Sequence, residues 1–172
     1  METNATPPID PADNPTGCCP RFNPEGWDEQ LLHFDGKLFV RAVTRSENHV
    51  PADMTQVFGR VYDGMAEDGA LDENHPLVLS RDLAPDQAEH LFAATGPVKG
   101  EEMIRLSGDF RTRVFDAPYE EAPARLAAFA QELEEQGAEA DESYVFYTTC
   151  PMCAESYGHN YMVAVDRVHA AR

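Results

Sequence analysis

Four cysteines carry the most distinctive chemistry of this sequence, and they occur as two pairs. Cys18 and Cys19 are adjacent, whereas Cys150 and Cys153 are separated by two residues in the sequence Cys-Pro-Met-Cys. Thiolates at the second spacing can bind one ion within a turn, and structural zinc commonly takes four such ligands. We therefore expect the four cysteines either to bind zinc together or to remain free thiols, buried or facing a binding cleft.

Two considerations leave the metal assignment open. Adjacent cysteines rarely both bind one ion, and a single C-x-x-C is only half of a zinc signature. His33, His49 or His159 could then replace a cysteine of the first pair. If the two motifs act together, the N-terminal segment must fold back on the last hairpin, and sulfurs of the two pairs must lie within about 10 Å of each other. Without a shared metal, no cofactor is expected.

Aromatic residues concentrate around the irregular connection CPMCAESYGH near the end of the sequence. Loops held by a rigid scaffold often carry function, and small-molecule pockets are mostly apolar with a few polar groups. If the protein is a hydrolase, we expect Tyr147 or His49 to protonate the leaving atom while water attacks. The alternative is that these side chains fill an ordinary core. The residues expected to line the ligand are Trp27, Tyr157, Asn160 and Tyr161.

The charge balance excludes one class of partner. Thirty-one acidic residues face thirteen basic ones, which gives a formal net charge of −18. Nucleic-acid binding needs clustered lysine and arginine to displace counterions, so direct nucleic-acid binding is not expected. No run of residues approaches the ~20 apolar positions of a membrane span. We expect a cytoplasmic protein that has a small organic molecule as its partner and does not bind membranes.

The periodicity of apolar residues predicts the same order of elements twice. In the first half, LFVRAV predicts a strand, the residues after Pro51 predict a helix, and two short strands follow. In the second half, an alternating strand leads into a helix that ends at Gly137, and two further strands follow. The predicted strands cover residues 38–43, 76–82, 90–95, 107–118, 143–149 and 160–168.

This repetition predicts the fold and its organisation. Two strand–helix–strand–strand repeats indicate an α+β fold, with a curved, mostly antiparallel sheet, the helices on one side and a central cleft. Residues 1–16, rich in Pro, Asn, Thr and Asp, are predicted to form a disordered tail. Residues 17–172 are expected to form one domain. Within it, an N-terminal arm spans residues 17–36, the first repeat 37–100 and the second repeat 101–172.

The sequence resembles the GyrI-like small-molecule-binding family, which is named for a DNA gyrase inhibitor. The segment GDFRTRVFDAPYEEAPARLAAFAQELEEQG is similar to the second half of that family, including the turn Ala-Pro-Tyr-Glu-Glu at residues 117–121. The motifs Gly-Cys-Cys-Pro-Arg-Phe with Trp-Asp-Glu, and Tyr-Thr-Thr-Cys-Pro-Met-Cys-Ala with Tyr-Gly and Asn-Tyr, resemble a prokaryotic branch often labelled hydrolase. The resemblance spans residues 17–168.

The resemblance implies a site between the two repeats for an organic compound, often cationic or aromatic. Some members of the wider family hydrolyse strained cyclopropane rings. Many relatives carry a glutamate two residues before the strand tyrosine, but this sequence has Val145 before Tyr147, so the ligand need not be cationic here. Two functions remain. One is small-molecule binding with hydrolase activity. The other is a non-catalytic protein in which a cysteine–zinc site clamps the arm, acting as a ligand-sequestering or protein-partner module.

Overall fold

A computed structural model describes residues 2–48 and 50–170. His49, one of the two residues expected to act in catalysis, lies outside the described residues. The strands are β1 (Leu31–Glu47), β2 (Val50–Pro51), β3 (Val78–Ala84), β4 (Gln87–Ala93), β5 (Glu102–Asp116), β6 (Ala138–Tyr147) and β7 (Tyr161–Ala170). The α-helices are α1 (Met54–Glu67), α2 (Ala122–Glu135) and α3 (Pro151–Tyr157), and a 3₁₀ turn covers Tyr119–Glu121.

The order of elements confirms the predicted α+β repeat. The first unit runs β1–α1–β3–β4 and the second runs β5–α2–β6–β7, while α3 is inserted between the last two strands. All strand pairs within the described residues are antiparallel, in the order β2-β1-β4-β3-β6-β7-β5. Because β1 also pairs with β5, the six long strands close into a ring.

Apolar side chains of the two helices pack on the outer face of this ring. Val61 and Met65 of α1 join Val40 and Phe92 in one cluster. Leu133 of α2 belongs with Phe129 and Ala164 to another. Both helices bury one stripe because their apolar residues recur every three or four positions. Among the described residues, none of these helices has the length and apolar character needed to cross a membrane.

The interior of the ring is filled by a third, larger cluster, and the N-terminal segment contributes to it. Ile9, Phe22 and Trp27 pack there with side chains from the inner faces of the strands. Trp27 is only 1% exposed, and its ring centroid lies 5.4 Å from that of Phe146. Burying these three side chains supplies much of the free energy that holds the segment against the sheet.

The structure differs from the predicted disordered tail at residues 1–16. Within residues 2–16, the Asn4 amide donates to the His33 carbonyl at 2.8 Å, and the Ile9 amide donates to the Asn74 carbonyl at 2.7 Å. Thr3 forms a bridge with His33 as well. The composition is typical of a disordered chain, but one buried isoleucine and backbone hydrogen bonds to neighbouring elements order the segment.

Several strands are longer than predicted, and β1 and β6 show why. β1 begins at Leu31 rather than at residue 38. Asp35 and Gly36, which are typical of a turn, form a bulge within the strand between Phe34 and Lys37 instead of ending it, with Gly36 at φ 65°. Glycine reaches this left-handed conformation at little cost. β6 begins at Ala138 rather than at residue 143, since its acidic first half is held by pairing with β7 despite poor strand propensity.

Candidate metal centre and adjoining groove

The four cysteines lie together, as expected if the arm folds back on the last hairpin. Their Sγ atoms are all within 4.8 Å of one another. The Sγ of Cys18 is 3.8 Å from that of Cys19 and 4.0 Å from that of Cys150. Zinc–sulfur bonds of about 2.3 Å in a tetrahedron place the sulfurs about 3.8 Å apart. The observed separations therefore fit a four-thiolate site with small adjustments of side-chain torsions.

Helix α3 positions two of the sulfurs. Cys150 is the extended residue that precedes the helix (φ −73°, ψ 164°), and Cys153 lies in its first turn. Side chains three residues apart lie on one side of a helix, so both thiols point to the same place. Gly158 ends the helix in the left-handed conformation at φ 75°. Cys153 is buried and Cys18 is exposed, so the cluster reaches from the core to the surface.

Hydrogen bonds attach the arm to α3 independently of any metal. The Tyr157 hydroxyl donates to the Cys19 carbonyl at 2.6 Å and lies 3.1 Å from the Thr16 hydroxyl. Thr16 Oγ1 is also 3.2 Å from Cys153 Sγ. The Cys150 amide donates to Cys19 Sγ at 3.5 Å. These contacts bring both cysteine pairs to one point although more than 130 residues separate them along the chain.

The protonation of the thiols is uneven. Burial raises the pKa of the Cys19 thiol. Burial also opposes ionisation of Cys153, but hydrogen bonds from Thr16, Cys150 and Cys19 outweigh it and lower the pKa of Cys153 to about 7. The cluster thus holds one easily formed thiolate among neighbouring thiols. A thiolate is the form that binds metal, and a bound cation would release the remaining protons.

A groove of about 380 Å³ adjoins the cysteine cluster. Its aromatic walls come from the arm, from α3 and from the start of β7, and polar groups lie between them. Tyr157 links the two sites, because its ring lines the groove while its hydroxyl holds Cys19. The residues lining the groove are Arg21, Phe22, Thr149, Ser156, Tyr157, His159 and Tyr161.

A second depression, larger at about 530 Å³ but more open, lies elsewhere on the surface. It is bordered by the loop that follows α1, including Asp72, Glu73 and Asn74. None of the residues expected from the sequence to bind a ligand or a metal lines it. We therefore place the candidate site at the smaller groove.

His159 is held in a defined orientation at the groove. Its Nδ1 lies 2.8 Å from Asp116 Oδ2, and its ring stacks on Tyr161 with centroids 5.0 Å apart and an interplanar angle of 16°. The other carboxylate oxygen of Asp116 accepts a hydrogen bond from the Asn160 amide at 2.8 Å. The hydrogen bond from His159 holds the pKa of Asp116 below its usual range. Asp116 therefore stays ionised at neutral pH.

Two further polar residues line the groove. Thr149 is 8% exposed, and its buried Oγ1 has no hydrogen-bond partner among the described residues. Arg21 lies with its guanidinium carbon 5.5 Å from the centroid of the Tyr157 ring. Because a buried hydroxyl without a partner costs free energy, Thr149 is suited to bind a polar atom of a ligand.

The structure brings together some of the residues predicted to form the site and separates others. Tyr157 and Tyr161 line the groove. Asn160 lies beside it, donating from Nδ2 to the Ala117 carbonyl at 2.7 Å. Trp27 is enclosed in the core, and its Nε1 has no partner among the described residues. Tyr147 is 39% exposed at the end of β6 and packs near Tyr119 rather than in the groove.

The sequence did not identify Arg21, Thr149 and Ser156 as groove residues, and it did not pair His159 with Asp116. His159 was considered only as a substitute metal ligand. A signal was present for the pair, since Asp116 lies near the end of one predicted strand, 107–118, and His159 directly precedes another. In the structure β5 and β7 pair with Asp116 opposite Tyr161, and this register brings the carboxylate to the imidazole.

Comparison with known proteins agrees with the fold. Two solved structures from Listeria innocua are similar, each covering 83% of this chain and 92% of its own. One, described as an uncharacterized conserved protein, has a TM-score of 0.61 at 12% identity. The other, described as a hydrolase, has a TM-score of 0.59 at 11% identity. No curated protein matches the sequence. Residues 9–168 match the family described as "Bacterial hydrolase", and the chain belongs to that family.

Proposed function

We propose that this protein is a GyrI-like hydrolase that binds a small electrophilic organic compound in the groove beside α3, and that its four cysteines bind a structural zinc ion. The observation that carries the proposal is the continuity of the two sites. Tyr157 forms a wall of the groove and also fixes the backbone of Cys19 in the cysteine cluster. Zinc binding would thus fix the position of the groove wall.

The donor set favours zinc in a structural role. Four sulfur ligands at tetrahedral separations suit zinc, whereas calcium and magnesium prefer oxygen. Four protein ligands leave no open position for water, which is typical of structural rather than catalytic zinc. The ion would hold the arm segment at Cys18 and Cys19 against α3. The hydrolytic chemistry then belongs to the groove and not to the metal.

The groove suits a neutral or negatively charged ligand with an apolar body. Its volume of about 380 Å³ falls in the range of small-molecule sites, roughly 300–1,000 Å³. Phe22, Tyr157 and Tyr161 offer apolar surface, and Arg21 supplies a positive charge in a protein of net charge −18.

Ligand sequestering without chemistry is the second candidate function. It is supported by the aromatic lining of the groove, which offers a binding surface whether or not chemistry follows. In that case the zinc clamp and the groove would serve binding alone. The two candidates share the same groove, and turnover distinguishes them.

Metal analysis and turnover test the two parts of the proposal. Purified protein is expected to contain one zinc per chain by plasma mass spectrometry, and the Cys150→Ser variant is expected to lose it. Met152→Leu is the control, because Met152 lies between the cysteines of this motif but is 63% exposed. Turnover is assayed with 4-nitrophenyl acetate, styrene oxide and an activated cyclopropane.

Each part can fail separately. Protein that contains no zinc, and takes up none after reduction, would contradict the metal site while leaving the groove untouched. Protein that binds these compounds, by a change in Tyr fluorescence, but releases no product would replace the hydrolase with the sequestering function.

A further inference from the structure

We infer that His159, oriented by Asp116, is the general base of this groove and that the substrate is a small carboxylic ester bearing a negative charge. The inference rests on the proposed hydrolase function and adds to it the acting residues and the substrate class. Neither Tyr147 nor His49 is needed for it.

The first step of the argument is the orientation of the imidazole. Nδ1 of His159 lies 2.8 Å from Asp116 Oδ2, so Nδ1 carries the hydrogen and donates it to the carboxylate. In the neutral ring this leaves the lone pair on Nε2. Stacking on Tyr161 restricts rotation of the ring. His159 lines the groove, so a base with a fixed tautomer borders the space where a ligand would lie.

Asp116 is itself fixed, which makes it a positioning residue. Its second oxygen accepts a hydrogen bond from the backbone amide of Asn160 at 2.8 Å. The side chain of Asn160 in turn donates from Nδ2 to the Ala117 carbonyl. The carboxylate is therefore held at one oxygen by the backbone amide of Asn160 and at the other by the His159 ring. An ionised carboxylate in this place also stabilises the imidazolium that forms when His159 accepts a proton.

The polar atoms of the same groove complement an ester. The unpartnered hydroxyl of Thr149 can donate a hydrogen bond to the carbonyl oxygen, where negative charge develops during attack. The guanidinium of Arg21 can bind a carboxylate elsewhere on the same molecule. The three aromatic side chains offer apolar surface for the rest of the molecule in the same groove.

The reaction requires water as the only co-reactant. A water oxygen bonds to the ester carbonyl carbon while one water proton passes to Nε2 of His159, giving a tetrahedral oxyanion beside Thr149. The carbon–oxygen bond to the alcohol then breaks, and the proton on Nε2 passes to the departing oxygen. The products are a carboxylic acid and an alcohol, and His159 returns to its neutral form.

The experiment compares His159→Gln and Asp116→Asn with a matched histidine–aspartate pair outside the groove. His33 Nδ1 lies 2.7 Å from Asp109 Oδ1 on the surface, so His33→Gln is the control. The substrates are neutral 4-nitrophenyl acetate and the negatively charged mono-4-nitrophenyl ester of glutaric acid. Thermal melting and zinc content are compared first, to check that each variant is folded like the original protein. We expect no change for the His159 variant, since the His159 side chain is 54% exposed and its replacement leaves the core intact.

We expect His159→Gln to lower kcat on both esters by about 100-fold or more with little change in KM, the usual range for a lost general base. Imidazole added to His159→Ala should restore part of the rate. Asp116→Asn should lower kcat and change the pH profile of kcat, whereas His33→Gln should stay within twofold. Arg21→Gln should raise KM for the charged ester only.

The failures are distinguishable. If the original protein hydrolyses neither ester nor any other electrophile tested, both the proposed hydrolase function and this inference are contradicted. If it hydrolyses them and His159→Gln does so equally well, the inference alone is overturned. Equal effects of Arg21→Gln on both esters would overturn the assigned substrate charge while leaving the base in place.

Discussion

The two repeats share one plan but differ in how they join their last two strands. In the first unit, β3 ends at Ala84 and β4 begins at Gln87, so a two-residue turn connects them. In the second unit, β6 ends at Tyr147 and β7 begins at Tyr161, and the connection holds α3, two cysteines and His159. The candidate chemistry thus lies where the second copy departs from the first, which is typical of loops carried by a rigid scaffold.

The repeats also differ in the polar group that each buries on the outer face of the sheet. In the first unit, His90 is 2% exposed and lies between Thr44 and Ser80, each 2.8 Å from a ring nitrogen. In the second unit, Asp166 is fully buried and accepts from Ser143 at 3.1 Å, while its Oδ1 has no partner among the described residues. Both ring nitrogens of His90 thus have hydrogen-bond partners, whereas one carboxylate oxygen of Asp166 has none among the described residues.

The largest expected effect comes from disrupting the cysteine cluster proposed to bind zinc, which joins the N-terminal arm to the second unit. Cys153→Ser should lower stability by about 4 kcal/mol, the value for a ligand present at a thousandfold excess over its Kd. For a chain of this size that corresponds to roughly 8 to 16 °C in Tm. Calorimetry with and without zinc measures it. Met152→Leu is the control, and an unchanged Tm in Cys153→Ser would mean that the clamp adds no stability.

Asp166→Asn should stabilise the protein at alkaline pH. Burial raises the pKa of Asp166 from 3.8 to about 7, so the folded state keeps a proton that the unfolded state has lost. Stability from this group is present below pH 3.8 and declines as the pH rises through 7. The variant should gain on the order of 3 kcal/mol at pH 8 and little at pH 4. Urea denaturation at both pH values tests this, and a gain independent of pH would contradict it.

His90 should give the opposite pH dependence. Burial lowers its pKa from 6.5 to about 4, so the folded state excludes a proton that the unfolded state binds. Stability from this group is present above pH 6.5 and is lost as the pH falls towards 4, by roughly 2 to 3 kcal/mol. His90→Gln should flatten this decline. The difference in Tm between the variant and the original protein should become smaller as the pH falls from 7 to 4. A difference that stays the same across this range would show that His90 does not titrate in this way.

The smallest expected effect concerns the other attachment of the N-terminal segment. Ile9 joins the core, and its amide binds the Asn74 carbonyl in the first unit, far from the cysteines along the segment. Ile9→Ala should cost about 2 kcal/mol, at the lower end for a buried isoleucine because the side chain is 9% exposed. Zinc content should not change. Loss of zinc in this variant would mean that the two attachments form as one unit.

The repeat was predictable from the sequence because both helices keep a 3.6-residue apolar stripe and their strands alternate. The proximity of the cysteine pairs was predictable because both motifs lie outside that pattern and share one chemistry. The orientation of Trp27 was not predictable, since an aromatic side chain suits a core and a ligand wall equally well. The contact between Asp116 and His159 was not predictable either, because it depends on the register of β5 against β7 across 43 residues.

The closed sheet has one weak junction. β1 and β5 pair over most of their length, whereas β3 and β6 are joined by the single pair Ser80 and Val145. Local opening is easiest where the fewest backbone hydrogen bonds must break, so the ring should open along this line before either unit unfolds. Opening would expose two strand edges at once, and unpaired edges are templates for pairing between molecules. This junction is therefore the place where self-association of the folded protein would begin.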